Sequence, residues 1–281
     1  MYCISLEGNA RTSLNERYVL ERTQARKLNE RYKLERTQPR KIQLMSRHRT
    51  NRRYRKTKNT FISAAVFVLV AISAVTGYEY SDNSSDRESV NVDISKYVKV
   101  ENGNEPFFSE GDMTTTSYEK YSELDELGRC GVARACIGKD IMPTEPRGEI
   151  GMVKPSGWHT VKYPGVVEGN YLYNRCHLIA YCLAGENANE KNLITGTRFL
   201  NNELMLPYEL KVAKYIDSHP DNHVLYRVTP KFDGDNLVCR EVLMEALSVE
   251  DGGRGVKFCV SLQNVQPGIR IDYQDGYSTI E

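Results

Sequence analysis

The chain has 281 residues, 40% of them hydrophobic and 27% charged, enough for one large or two modest domains. Its net charge of +1 conceals a division: residues 1–58 carry +12, and residues 59–281 carry −11. That acidic majority argues against capture of phosphate by a broadly positive surface, so any phosphate site in it must be a local basic patch.

Residues 1–44 contain a near-repeat of period 14, LNERYVLERTQARK followed by LNERYKLERTQPRK. Two charged repeats broken by Pro39 are too short and too polar for a coiled coil. They read as a basic extension: an arm for nucleic acid, or sequence upstream of a translation start at Met45. Residues 45–59 form a basic cytoplasmic flank, with seven Lys/Arg between Arg47 and Lys58. The uncharged run TFISAAVFVLVAISAVTG at 60–77 follows directly. That layout predicts a signal anchor in the cell membrane or a signal peptide, with everything downstream extracellular or secreted. Six of the seven cysteines then lie on the exported side, where disulfides persist; Cys239 and Cys259, in neighbouring strand-like runs, are the preferred pair.

Residues 78–115 are polar and acidic and predict a linker, with a folded domain over 116–281. Leu127–Ile137 suits a strand, and the Pro/Gly-rich MPTEPRGEIG and KPSGWH segments predict turns. Trp158, the only tryptophan, reads as packing beside a turn or as a platform for a base. Tyr171–Tyr181 is strand-like, Thr195 or Thr197 is placed to cap a short helix holding Asn201, and Pro207 opens a second helical stretch. Val224–Thr229 and Leu237–Ala246 alternate as strands around the turn at Asp233–Asn236. Val256–Leu262 and Gly268–Tyr273 predict the last strands. His219 and His223 flank a Pro and predict a turn rather than a metal pair. No GxGxxG or Walker loop is present.

The densest chemistry lies in YNRCHLIAYCLAGENANEKNLITGTRFLNN, residues 173–202. An imidazole at His177 titrates near neutrality and suits a general base. The amide oxygen of Asn201 is a hard neutral ligand for a cation that keeps most of its waters. Arg175 has the fork that grips a phosphate oxygen, and Arg198, Lys211 and Lys214 are the cations available for a local patch.

Asn174-Arg175-Cys176-His177, with Asn192, Asn201 nine residues on and Glu209 eight further, resembles the Asp-Arg-Gly-His motif set of the DNA/RNA non-specific endonucleases, the ββα-metal nucleases. YRVTPKFDGDNL and NVQPGIRIDYQDG are similar to the secreted or membrane-anchored Gram-positive branch, and the resemblance covers about Ser117 to Gly276. It implies an α+β domain, with a mostly antiparallel central sheet flanked by helices and a ββα-metal motif. It further implies Mg²⁺-dependent hydrolysis of DNA and RNA without sugar preference, with Mn²⁺ able to substitute and 5′-phosphate products. Carried over by residue, His177 activates water and Asn201 is the direct metal ligand. Asn192 supports the site, and Glu209 holds a water on the metal or a neighbouring basic residue. Arg175, Arg198 and Lys214 bind substrate. Asn174 and Cys176 depart from the Asp and Gly of the best-known members. A rival from another class is a surface protein that binds or takes up nucleic acid with little cleavage. An exported toxin with an inhibitor protein as partner would use the same site residues.

Overall fold

The computed structural model describes residues 92–281. The basic repeats, the cytoplasmic flank, the apolar run at 60–77 and residues 78–91 lie outside the described residues. No helix among the described residues is long and apolar enough to cross a membrane.

Strands β6 (Val224–Lys231) and β7 (Glu241–Ser248) pair antiparallel from Val224↔Ser248 to Lys231↔Glu241. The turn between them forms where Asp-Gly predicted it, with Asn236 N donating to Asp233 O (3.1 Å) and Gly234 at φ +52°. β8 (Lys257–Gln263) adds to β7, β3 (Ala133–Ile137) to the other side of β6, and β2 (Tyr118–Tyr121) to β3. β1 (Val98–Val100) closes the far edge against β8, giving a six-stranded sheet in the order β1-β8-β7-β6-β3-β2 with every pairing antiparallel. The architecture is the expected α+β one, mostly antiparallel with few helices.

Three expectations change. Residues 92–115 belong to the fold rather than to a linker: Ile94 is buried in the core, and β1 takes its register from Val98↔Leu262. A strand of only three residues, Val-Lys-Val, forms when a partner edge satisfies its backbone. The strand expected from Leu127 begins only at Ala133. Upstream, Asp125 Oδ1 accepts from the amides of Leu127 and Arg129 and winds the chain into a turn. Cys239 and Cys259 form no disulfide; all six cysteines among the described residues are free thiols. Cys239 precedes β7 and bonds around Asn264, whereas Cys259 stands opposite Glu245 in the ladder, so adjacency in sequence pattern does not bring them together.

β4 (Tyr173–His177) and β5 (Leu193–Thr197) form a separate antiparallel pair, joined through the short helix α1 (Tyr181–Ala184). Thr197 then caps the helical run as expected, its Oγ1 accepting from Leu200 N at 2.9 Å. That run is wound as a π-helix over Leu200–Met205 and continues as α2 (Leu206–Ser218). Pro207 stands at the start of α2 as expected, but the π turn runs into that helix without a break, and its widened turn tolerates the missing N–H and the ring. Val212, Ala213, Tyr215 and Ile216 turn inward, and one core unites α2, the π turn and the sheet through Leu204, Met205, Val228, Met244 and Val260. A second small core, Val167, Leu172, Tyr173 and Ile269, lies under the segment 158–173.

Candidate active site

Strand β4 and the π turn face one cleft of about 860 Å³, lined among others by Arg147, Trp158, Asn174, Arg175, Arg198, Asn201, Asn202 and Glu203. Of the residues expected from sequence, the cleft gathers Arg175, Arg198 and Asn201. His177 lies just behind Arg147, and Asn192, Glu209 and Lys214 do not line it.

His177 ends β4 and is 6% exposed. Its Nε2 lies 2.8 Å from the carbonyl oxygen of Asn187, which only accepts, so Nε2 carries the proton. Its Nδ1 lies 3.4 Å from Arg147 Nη2, which only donates, so Nδ1 keeps its lone pair. The surroundings alone therefore set the neutral tautomer with Nδ1 as the basic atom. Burial, then the Arg147 charge, pull the imidazole down to about 4, so it is neutral at physiological pH.

Arg147 was not singled out in the sequence, where it sits in a Pro-Arg-Gly turn at no motif spacing. Gly148 beside it packs closely on the loop that carries the His177 acceptor: a Cβ there would lie 2.8 Å from Asn187 Nδ2, so a larger residue would push the Asn187 amide aside. Arg147 also acts on Glu209. Burial pushes that carboxyl up to about 8, and the guanidinium opposes the rise. Burial likewise lowers Arg147 from its usual value, with Glu209 as the main opposing charge.

Asn192 is fully buried, and both ends of its amide are spent on one residue. Oδ1 accepts from Ile179 N at 2.8 Å and Nδ2 donates to Ile179 O at 3.0 Å. It is a positioning residue, fixing the chain two residues after His177, and it does not reach the cleft. Asn264 does the same for β5, accepting from Thr197 N (2.9 Å) and donating to Thr195 O (3.1 Å).

Arg175 is anchored within the cleft wall. Its Nε donates to Val153 O and its Nη2 to Gly151 O (2.8 Å), and its guanidinium lies 4.1 Å from the Trp158 ring centre. Two of its five N–H donors thus staple the loop that follows Arg147, and those left on Nη1 and Nη2 can meet a phosphate. Arg198 lies against Gly169, and its Nε is buried with no hydrogen-bond partner. Lys214 is exposed on the solvent face of α2, about 140° around the helix from Glu209 at roughly 100° per residue, so it is not a cleft residue.

Asn201 lies on the π turn with Nδ2 donating to Asn202 Oδ1 at 2.7 Å. Asn202 and Glu203 line the same cleft. Among the described residues no three His, Cys, Asp or Glu gather as a ligand set. Amide and carboxylate oxygens on one helical turn fit a hard cation that keeps most of its water, as Mg²⁺ does. Cys176, where the motif has Gly, is accommodated by its neighbours: a Cβ on Gly196 would lie 2.6 Å from Cys176 Cβ, so the glycine on β5 makes room for the cysteine. The thiol packs on Met205 Sδ at 3.3 Å in the core.

Residues 109–250 match the family model of DNA/RNA non-specific endonucleases. A deoxyribonuclease of Streptococcus dysgalactiae subsp. equisimilis is 35% identical over 111 residues, 38% of this chain and 33% of that one, so the match spans a third of that relative's length. Magnesium-bound NucA from Streptococcus agalactiae superposes with a TM-score of 0.58 at 26% identity, over 66% of this chain and 87% of NucA. The zinc-bound Sda1 nuclease does so with a TM-score of 0.55 at 27% identity, over 66% of this chain and 97% of Sda1. With the ββα arrangement of β4, β5 and the helix that carries Asn201, these similarities place the chain in the DNA/RNA non-specific endonuclease family.

Proposed function

We propose that the protein is a Mg²⁺-dependent endonuclease that hydrolyses phosphodiester bonds of both DNA and RNA. The observation that carries this reading is the neutral His177, its Nδ1 lone pair set by Asn187 and Arg147, beside a cleft that holds Asn201 and three guanidinium groups. Arg147 is drawn from His177 toward a phosphate entering the cleft. Nδ1 is then open to take a proton from a water aligned for in-line attack on phosphorus. Asn187 O holds the imidazolium that results through Nε2–H, much as a carbonyl or carboxylate orients a catalytic histidine elsewhere. Arg147 and Arg198 place positive charge where the pentacovalent phosphorus gathers negative charge, inside an otherwise acidic chain. Asn201, with Asn202 and Glu203 beside it, would hold Mg²⁺, which when bound supplies Lewis-acid stabilisation of the phosphate and the leaving 3′ oxygen. Cleavage on that side leaves 5′-phosphate ends. Mn²⁺, with similar oxygen preference, would substitute. Residues 60–77 anchor the domain outside the cell or direct its secretion.

Digestion of plasmid DNA and of RNA by the full-length protein, with Mg²⁺ and with EDTA, tests this reading beside His177→Ala. Cleavage of both polymers that needs the metal and is lost in the variant is expected. Binding without cleavage, in wild type and variant alike, would replace the enzyme with a nucleic-acid-binding protein.

A further inference from the structure

The segment Trp158–Tyr173 stands apart from both the sheet and the ββα motif. It doubles back on itself: Leu172 N donates to Val161 O (3.1 Å), Tyr163 N to Asn170 O (2.8 Å), and Lys162 faces Tyr171 in an antiparallel bridge. It rests on its own small core and forms one wall of the cleft. Two of its aromatic rings face that cleft, and each carries a cation on its surface. Arg175 lies 4.1 Å from the Trp158 ring centre, and Lys162 Nζ lies 4.6 Å from that of Tyr171.

The other tyrosines here serve the core. Tyr163 OH pairs with Ser278 Oγ and Tyr173 OH with Gly276 O, both at 2.9 Å. Tyr171 instead is 43% exposed, a large apolar ring left at the mouth of a polar cleft. Arg175, held flat by Gly151 O and Val153 O, lays its planar guanidinium on Trp158 in the wall of the cleft. Planar cations and aromatic rings are the surfaces on which unpaired bases stack. The chain also needs such contacts: residues 59–281 carry −11, so the backbone attraction that usually dominates nucleic-acid binding is weak.

We infer that Trp158, through the Arg175 guanidinium laid on its ring, and Tyr171 form a base-stacking wall that receives unpaired nucleobases, so that the cleft favours single-stranded over duplex nucleic acid. The inference rests on the nuclease reading for its substrate class. In a duplex the base faces are covered by their neighbours, and the wall has nothing to bind.

The test uses the full-length protein, in which Trp158 is the only tryptophan emitter. A single-stranded 12-mer and the duplex of the same sequence are titrated in EDTA while tryptophan emission is followed. KM and kcat for both are then measured in Mg²⁺ for wild type, Trp158→Ala, Trp158→Phe and Tyr171→Ala. Quenching by the single strand is expected, with KM for it raised roughly 5- to 100-fold in each alanine variant. The duplex KM should change little, kcat should hold, and Trp158→Phe should restore most of the loss. Equal changes in KM for both substrates, or none, overturn the stacking wall and leave the nuclease reading standing. If wild type cleaves neither polymer, the nuclease reading falls, and the emission titration by itself decides the wall: quenching by the single strand sustains it, and unchanged emission overturns it.

Discussion

Replacing Arg147 by Gln tests the electrostatics of the site at their most exposed point. His177 is drawn from 6.5 down to about 4, a depression of about 2.5 pH units, first by burial and then by the guanidinium 3.4 Å from Nδ1. Gln is long enough to keep the ring covered, so the larger cause persists and only the charge is removed. Part of the depression should return, placing His177 in the variant above its wild-type value while burial still keeps it below the ordinary imidazole range. The acid limb of kcat/KM reports the free enzyme's base, so in wild type it should fall near pH 4. At pH 5.5 roughly nine-tenths or more of His177 would be neutral, against about a tenth for an unperturbed imidazole. The same shift has a stability consequence. A lowered histidine gives a contribution that is complete above pH 6.5 and is lost as pH falls toward 4, about 3 kcal/mol across that window. Arg147→Gln should make that acid loss smaller. Nuclear magnetic resonance titration of the five histidines, with His177→Ala identifying the signal, measures the value directly. An acid limb near 6.5 in wild type, or one that does not move in Arg147→Gln, would refute the assignment of Arg147 as the charge governing this base.

Asn201→Ala should shift the Mg²⁺ titration of activity to higher concentration; an unchanged curve would show that another group holds the ion. Asn192→Ala leaves the buried N–H and C=O of Ile179 without partners, at roughly 2–5 kcal/mol for the two, readable by urea denaturation. A loss below about 1 kcal/mol would mean that water or a neighbour replaces the amide. Arg198→Ala should raise KM for nucleic acid at least several-fold, while Lys214→Ala, on the far face of α2, should leave KM within experimental error. The reverse ranking would relocate the substrate path.

What the sequence determined is whatever depends on near neighbours. The alternation of β6 and β7 about an Asp-Gly turn, the Thr197 cap and the nine-residue step from Asn192 to Asn201 are short-range relations that chain geometry converts directly into structure. His177 was legible because an imidazole beside an arginine in that motif has few other uses.

Tertiary structure decided the rest. Arg147 and His177 are 30 residues apart in sequence, and their contact exists only because the fold brings the Arg147 loop against the end of β4. Arg175 carries a phosphate fork in its own chemistry, and the fold adds a second task by setting two loop carbonyls against it. Lys214 had a suitable charge, and helical rotation carried it to the solvent face. β1 is a strand because β8 presents an edge to it; its Val-Lys-Val alternation is too short to stand out by itself. In each case the outcome hinges on a partner distant in sequence. A side chain's chemistry is written in its own letter, but its role is fixed by which donor, acceptor or charge the fold brings within hydrogen-bond reach.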